Sequence, residues 1–420
     1  MESIASFVDR SPTPMHFIHA AKEHLENLGF EQIYESEDFP TYDLSPKNKY
    51  FMIRNDTSII AFDSRDFENR GSIFATNLDH PYFKIIPNGC RVKSNAEILN
   101  VSEYGYGMWC TWMDRDLSIA GKVRYKTWEG KIETKLISSE NPICTIPSLA
   151  SHLTTGPRNT CNLNIEDHLK PIVRFTNEDQ IETDDTFIPS LIRFICDECN
   201  CADENIIDYE LYVISGENSS KIGVNDEIFA SQRISSIVQA AAGLLAFTSN
   251  SPPSGTNIYY CYSHECVIGS STTSFDSNFL QSAFKKIPTF SYDFFLNCIL
   301  FGGVRIPSAY TNPGCGVAYR EGTKADSQPH HAEMVKILKK LDSIGQPYQQ
   351  CSTTYDINNG IHHLIVSLSI PAVYFGIPVI SLHSIREAAF EKDILAFQAA
   401  VNCFFQIDHE EIKSDDSLSY

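Results

Sequence analysis

Positive charge is scarce in this sequence. Its 420 residues carry 33 lysines and arginines against 53 aspartates and glutamates, a formal net charge of −20. Phosphate backbones and anionic lipid surfaces are gripped by basic patches, so no nucleic acid and no membrane is expected as a partner. Long apolar runs are missing as well. The longest mostly apolar stretch, Ile234 to Phe247, is interrupted by Ser235, Ser236 and Gln239. It falls short of the ~20 residues that span a bilayer. The start, Met1-Glu-Ser-Ile-Ala-Ser-Phe7, has neither a basic segment nor an apolar core, so no secretory leader is expected. Cysteines number 13 but lack a framework. An odd, scattered set reads as reduced thiols in a cytoplasmic protein. Cys196-Asp-Glu-Cys199-Asn-Cys201 has half the spacing of a zinc site, yet no second CxxC or HxxxH lies nearby, and a helix terminus accounts for it. Gly302-Gly303 is too slight for a phosphate loop. No nucleophile–His–acid triad can be assigned.

What is present describes a folded α/β protein. The length suits two or three domains at ~150 residues each, and 42% apolar with 20% charged residues is an ordinary globular balance. After Ser11-Pro-Thr-Pro14, apolar residues Phe17, Ile18, Ala21, Leu25 and Leu28 recur at helical spacing until Gly29 stops the helix. Strand-like runs follow at Tyr50–Arg54, Ser58–Phe62 and Ser72–Thr76, with an extended Phe83-Lys-Ile-Ile-Pro87. From Cys90 to about Gln232 strand-like segments alternate with polar loops. Beyond it come a helix over Ile234–Phe247, a strand over Ile258–Tyr262 and a helix over Ala332–Ile344. A strand-like run, Val373–Ile380, leads into Ser381-Leu-His383 and a helix from Arg386-Glu387 to Phe404. This alternation predicts a mixed, largely parallel sheet covered by helices. The acidic, serine-rich tail Asp408–Tyr420 is expected to be disordered.

Several strings are more specific. They are Ser381-Leu-His383-Ser-Ile-Arg-Glu387, Ser11-Pro-Thr-Pro-Met-His16, Trp112-Met-Asp-Arg-Asp-Leu-Ser-Ile-Ala-Gly121, Ile146-Pro-Ser-Leu-Ala-Ser-His152-Leu and Asn164-Ile-Glu-Asp-His168-Leu-Lys-Pro-Ile. Together they resemble the aspartyl aminopeptidases, the M18 family of dinuclear zinc enzymes, over about residues 8 to 407. The resemblance implies a zinc-peptidase-like mixed sheet flanked by helices, formed by residues 1–88 and 233–407, with a β-rich dimerisation domain, residues 89–232, inserted into it and the tail 408–420 outside. It further implies self-association, from dimers to a tetrahedral dodecamer. In such an assembly His152 reaches a neighbouring subunit's active site.

The resemblance breaks down at the metal ligands. Two zinc ions need His or carboxylate ligands, a bridging carboxylate and a carboxylate base for the bound water. The family's ligand histidine in "H-T-D-S-P" is matched by Asn77, although Asp79 keeps the position that orients it. Its bridging aspartate in "S-x-R-L-D-N-L" is matched by Ser235. In "E-E-V-G-S" the general base survives as Glu265, but the ligand beside it becomes Cys266. The aspartate of "S-A-D-M-A-H" is matched by Asp293, and the last ligand by His383. The implied set is therefore Glu265, His152 and Asp79 as remnants of catalysis, His383, Asp293 and Cys266 as remaining metal ligands, and Asn77 and Ser235 as lost ones. His362-His363 and His330-His331 are further histidine pairs.

These residues imply a pseudoenzyme holding one zinc or none, a structural or regulatory subunit that associates with itself or with an active paralogue. Two other readings stay open. One is an active metalloaminopeptidase for N-terminal Asp or Glu, its metal site rebuilt around His383, Asp293 and Cys266. The other is a protein that holds a peptide or metabolite in the altered pocket without turnover.

Overall fold

A computed structural model describes residues 4–36, 49–65, 71–86, 91–93, 95–150, 152, 163–164, 168–175, 189–249, 251–267, 271–285, 298–322, 331–353 and 370–407. The tail 408–420 lies outside them. The described chain forms two compact units. The first comprises residues 1–79, 219–382 and 387–420, and the second residues 80–218 with 383–386.

The first unit is built on a nine-stranded mixed sheet. In spatial order its strands are Glu31–Gln32, Lys49–Arg54, Ser58–Ser64, Thr256–Tyr262, Gly71–Asn77, Cys298–Gly303, Ala372–Gly376, Val317–Gly322 and Tyr348–Thr353. The four strands Thr256–Tyr262, Gly71–Asn77, Cys298–Gly303 and Ala372–Gly376 run parallel, with Tyr262 level with Asn77 and Gly303 level with Thr76. Strands covered on both faces lose the polar alternation of half-exposed ones. Gly71–Asn77 and Thr256–Tyr262 are accordingly buried at every position. Aromatic rings fill one side, with Phe74 stacked on Tyr259 at 5.7 Å and Phe301 on Phe375 at 4.9 Å. The helix Gln239–Ser249 presses so close to Phe74 that a Cβ on Gly243 would lie 2.3 Å from the ring. No helix among the described residues is long and apolar enough to cross a membrane.

The expected helices and strands are present, with three differences. The run Val373–Ile380 is not one strand: it leaves the large sheet after Gly376 and resumes as Pro378–Val379, paired with Ile306–Pro307. The last helix spans Glu391–Phe405 and does not begin at Arg386. Glu387–Phe390 is instead a strand paired with Ile228–Ser231, and this long-range pairing overrides the helix propensity of Ala388 and Ala389. Strand pairing also crosses the expected junctions at 88/89 and 232/233. Tyr82–Ile85 pairs with Tyr212 and Val213 and with Val101–Tyr104 inside the second unit, while Ser220–Ile222 and Ile228–Ser231 form a sheet with Glu387–Phe390 in the first.

The second unit is β-rich, with one five-stranded and one three-stranded sheet. Its core holds Trp112, which is fully buried against Phe83 at 5.2 Å. The string Trp112–Gly121 serves this core. Asp114 adopts φ +56°, donates its N–H to the Ile146 carbonyl at 2.8 Å and accepts the Ser148 N–H on its carboxylate at 2.8 Å. Hydrogen bonds from the Ser148 side chain and backbone N–H lower the Asp114 pKa. Arg115 pairs with Glu217 at 3.2 Å. At Gly121 any Cβ would meet the Glu210 carbonyl at 2.1 Å, so glycine is required where the strands Leu117–Lys126 and Ile206–Ser215 pair.

Candidate functional site

In open α/β sheets ligands gather at the carboxyl ends of the parallel strands. Here those ends are Asn77, Tyr262 and Gly303, and the loops leaving them bring Asp79, Glu265, Cys266 and Arg305 together. Gly303 permits the convergence, because a Cβ there would lie 2.8 Å from Thr76 Oγ1.

Asn77 is buried and turned back on its own loop. Its Nδ2 donates to the Asp79 carbonyl at 2.8 Å, and its Oδ1 accepts the Asp79 N–H at 3.2 Å. Both ends of the amide are thus engaged. Asp79, fully buried, accepts the Cys266 N–H on Oδ2 at 3.1 Å. Arg305 donates from Nη2 to the Asp79 carbonyl at 3.0 Å and to Cys266 Sγ at 3.4 Å, and the same nitrogen lies 3.7 Å from Glu265 Oε2. Burial pushes the Cys266 thiol well up, and Arg305 offsets this only partly. Burial also works against the charged guanidinium, yet Cys266, Glu265 and Asp79 outweigh it and raise the Arg305 pKa.

Ser235 lies in a π-helical turn, Ile234–Val238, entered through Arg233 at φ +71°. It is committed to Glu387, donating from its backbone N at 2.8 Å and from Oγ at 3.0 Å to the fully buried carboxylate. Gln239 Nε2 closes the turn on the Ser235 carbonyl at 3.0 Å and also reaches the Val304 carbonyl at 3.3 Å.

His383 packs in the second unit at φ +67°, its ring 6.5 Å from that of His80 and its carbonyl accepting the Met108 N–H at 2.9 Å. His80 Nε2 lies 3.3 Å from the Ser384 carbonyl. His152 is exposed on a turn. Asp293, His330, His362 and His363 lie outside the described residues, and His331 opens the helix His331–Ser343. Cys199 ends the helix Pro189–Cys199, and the Cys201 N–H returns to the Cys196 carbonyl at 3.2 Å, as expected of a helix terminus. Among the described residues no three His, Cys, Asp or Glu side chains come together in an arrangement that would hold a metal ion.

Two features escaped the sequence reading. One is Arg305; a lone arginine between Gly302-Gly-Val304 and Ile306-Pro307 was the available signal. The other is a hydroxyl cluster behind the Glu265 loop, where His264 Nδ1 lies 2.9–3.0 Å from Ser263, Ser271 and Thr273 oxygens. These contacts tie both ends of the loop together.

Residues 7–292 match the family model for "Aminopeptidase I zinc metalloprotease (M18)". A probable M18 family aminopeptidase 2 of Clostridium acetobutylicum is 30% identical, the match covering 97% of this chain and 98% of that protein. Aspartyl aminopeptidase 1 of Schizosaccharomyces pombe is 25% identical, with 95% and 93% covered. Among solved structures, the aminopeptidase mApe1 dodecamer of Saccharomyces cerevisiae superposes with a TM-score of 0.82 at 18% identity, covering 99% of this chain and 98% of that one.

Proposed function

The chain belongs to the M18 family of zinc aminopeptidases, and from that premise we propose that it keeps the family fold without the hydrolytic activity. In this reading it is a structural or regulatory subunit of an aspartyl-aminopeptidase-type assembly. One observation carries the proposal: the side chains at two lost ligand positions are spent on their own protein. Asn77 is closed on Asp79, and Ser235 is bound to Glu387. An amide is a poor zinc ligand, and a neutral hydroxyl cannot bridge two dications. The donor set therefore does not fit a dinuclear zinc centre or the hydrolysis that depends on one.

Assembly is the role that remains. The β-rich second unit carries large apolar side chains in water, with Trp128 93%, Phe175 72% and Ile132 67% exposed. Exposed apolar groups of this size suit contacts between subunits. The likeness to a dodecameric aminopeptidase supports self-association up to that number, and the proposal extends to association with an active paralogue. His152, exposed on its turn, is then the residue offered to a neighbour's pocket.

The test combines zinc analysis, hydrolysis of peptides with N-terminal Asp or Glu, and light scattering on the purified protein. The expected result is fewer than two zinc ions per chain, no metal-dependent hydrolysis, and a dimer or larger. Two tightly held zinc ions with turnover would refute the catalytic part; a monomer at micromolar concentration would refute the assembly part.

A further inference from the structure

Asp79, Glu265 and Cys266 converge at the carboxyl ends of the parallel strands, and buried carboxylates require a positive partner. By the family resemblance Cys266 stands at a metal-ligand position, with Glu265 at that of the base and Asp79 at that of the orienting residue. Here Arg305 Nη2 lies 3.4 Å from Cys266 Sγ and 3.7 Å from Glu265 Oε2, with the two charged side chains only 15% and 13% exposed. A zinc ion on Cys266 would sit ~2.3 Å from the sulfur, nearer to it than this nitrogen at 3.4 Å. The arginine is also held from both sides. Before it, the Val304 N–H donates to the Phe375 carbonyl at 2.8 Å and the Val304 carbonyl accepts from Gln239 at 3.3 Å. After it, Ile306–Pro307 pairs with Pro378–Val379. A swinging surface side chain would not be pinned in this way.

We propose that the guanidinium of Arg305 is a tethered replacement for the metal cation, neutralising Glu265 and excluding divalent ions from the site by charge and volume. A guanidinium stays charged at any physiological pH and cannot be removed by a chelator. The pocket thereby keeps its fold whatever the supply of metal. This inference rests on the non-catalytic reading above and adds what took the ion's place.

Zinc itself is the probe, applied to the full chain and to Arg305→Gln and Arg305→Lys, with bound zinc counted after dialysis and melting followed with and without the ion. The expected outcome is that Arg305→Gln melts below the parent in chelator, binds about one zinc per chain through the freed oxygen and sulfur ligands, and regains much of the lost melting temperature. The parent and Arg305→Lys, which keeps a cation, should be indifferent to zinc. If Arg305→Gln does not fold, the double variant Glu265→Gln/Arg305→Gln, which removes both charges, should fold and ignore zinc. Failure of zinc to bind or stabilise Arg305→Gln, or failure of both variants to fold, would overturn this inference and leave the non-catalytic reading standing. Two zinc ions on the parent chain would overturn both.

Discussion

Truncating Trp112 to alanine should damage the second unit by an amount that packing alone sets. Trp112 is fully buried, 5.2 Å from the Phe83 ring at 72° and 6.2 Å from Trp109. Its indole N–H has no hydrogen-bond partner among the described residues, so no hydrogen bond is lost with the ring. What is lost is aromatic volume, which typically costs ~3–5 kcal/mol, including ~0.5–1.5 kcal/mol from the edge-to-face contact with Phe83. For a unit of this size that corresponds to a fall of about 10–20 °C in melting temperature. Trp112→Phe should restore well over half of the loss, since it refills the site and removes an unsatisfied donor. Far-UV circular dichroism measures the melting. Tryptophan emission gives a second readout, because Trp128 is 93% exposed and Trp112 supplies the buried signal. A fall of less than about 3 °C for the alanine variant, close to 1 kcal/mol, would refute the assignment of Trp112 as a core anchor.

Ser235→Asp should not restore hydrolysis, because it sets a second carboxylate against the buried Glu387. Peptidase assays should stay at background, and the lost Oγ hydrogen bond to a charged group should cost roughly 1.5–3 kcal/mol in urea unfolding. Gly243→Ala places a Cβ 2.3 Å from the Phe74 ring, and overpacking of this kind should cost ~1–3 kcal/mol despite the gain in helix propensity. A neutral or stabilising result there would contradict the helix–sheet contact. Asp63 has its pKa raised by burial, which Lys49 at 3.6 Å opposes. Above its ordinary value of 3.8 the folded chain therefore holds a proton that the unfolded chain has released, and stability falls as pH rises through that window. Asp63→Asn should flatten this part of the melting-temperature profile; an unchanged slope would assign it to other groups.

Much of this architecture is legible in the sequence because its signals are local. Buried parallel strands are continuous apolar runs, as at Ser72–Thr76 and Ile258–Tyr262, and Gly29 at φ +84° closes the helix Pro14–Asn27 as its residue type implies. What is not legible depends on partners far away in the chain. Ala388-Ala389 looks helical until Ile228–Ser231 pairs with it. Tyr82–Ile85 looks like a continuation of the first unit until Tyr212 and Val213 claim it. At the site, Asp79, Glu265 and Cys266 do meet, while Ser235 goes to Glu387 and His383 to the second unit. Arg305 gives no periodic signal at all. Asp114 and Arg115 are occupied within the chain by Ser148 and Glu217.

The short return of residues 383–386 to the second unit bears on the order in which the protein is made. Met108 and Thr111 bond to His383 and Ile385, and Arg386 bonds to the Asn218 carbonyl. A ribosome reaches those residues only after nearly all of the first unit has been synthesised. The first unit waits too, because Gly71–Asn77 lies between Thr256–Tyr262 and Cys298–Gly303. Neither unit can close while the chain is still short, and Ile73 and Phe74 wait without both neighbouring strands. Nascent chains of this topology depend on protection from aggregation until synthesis is almost over. A fragment limited to residues 80–218 leaves the Met108 N–H and Thr111 hydroxyl without these partners.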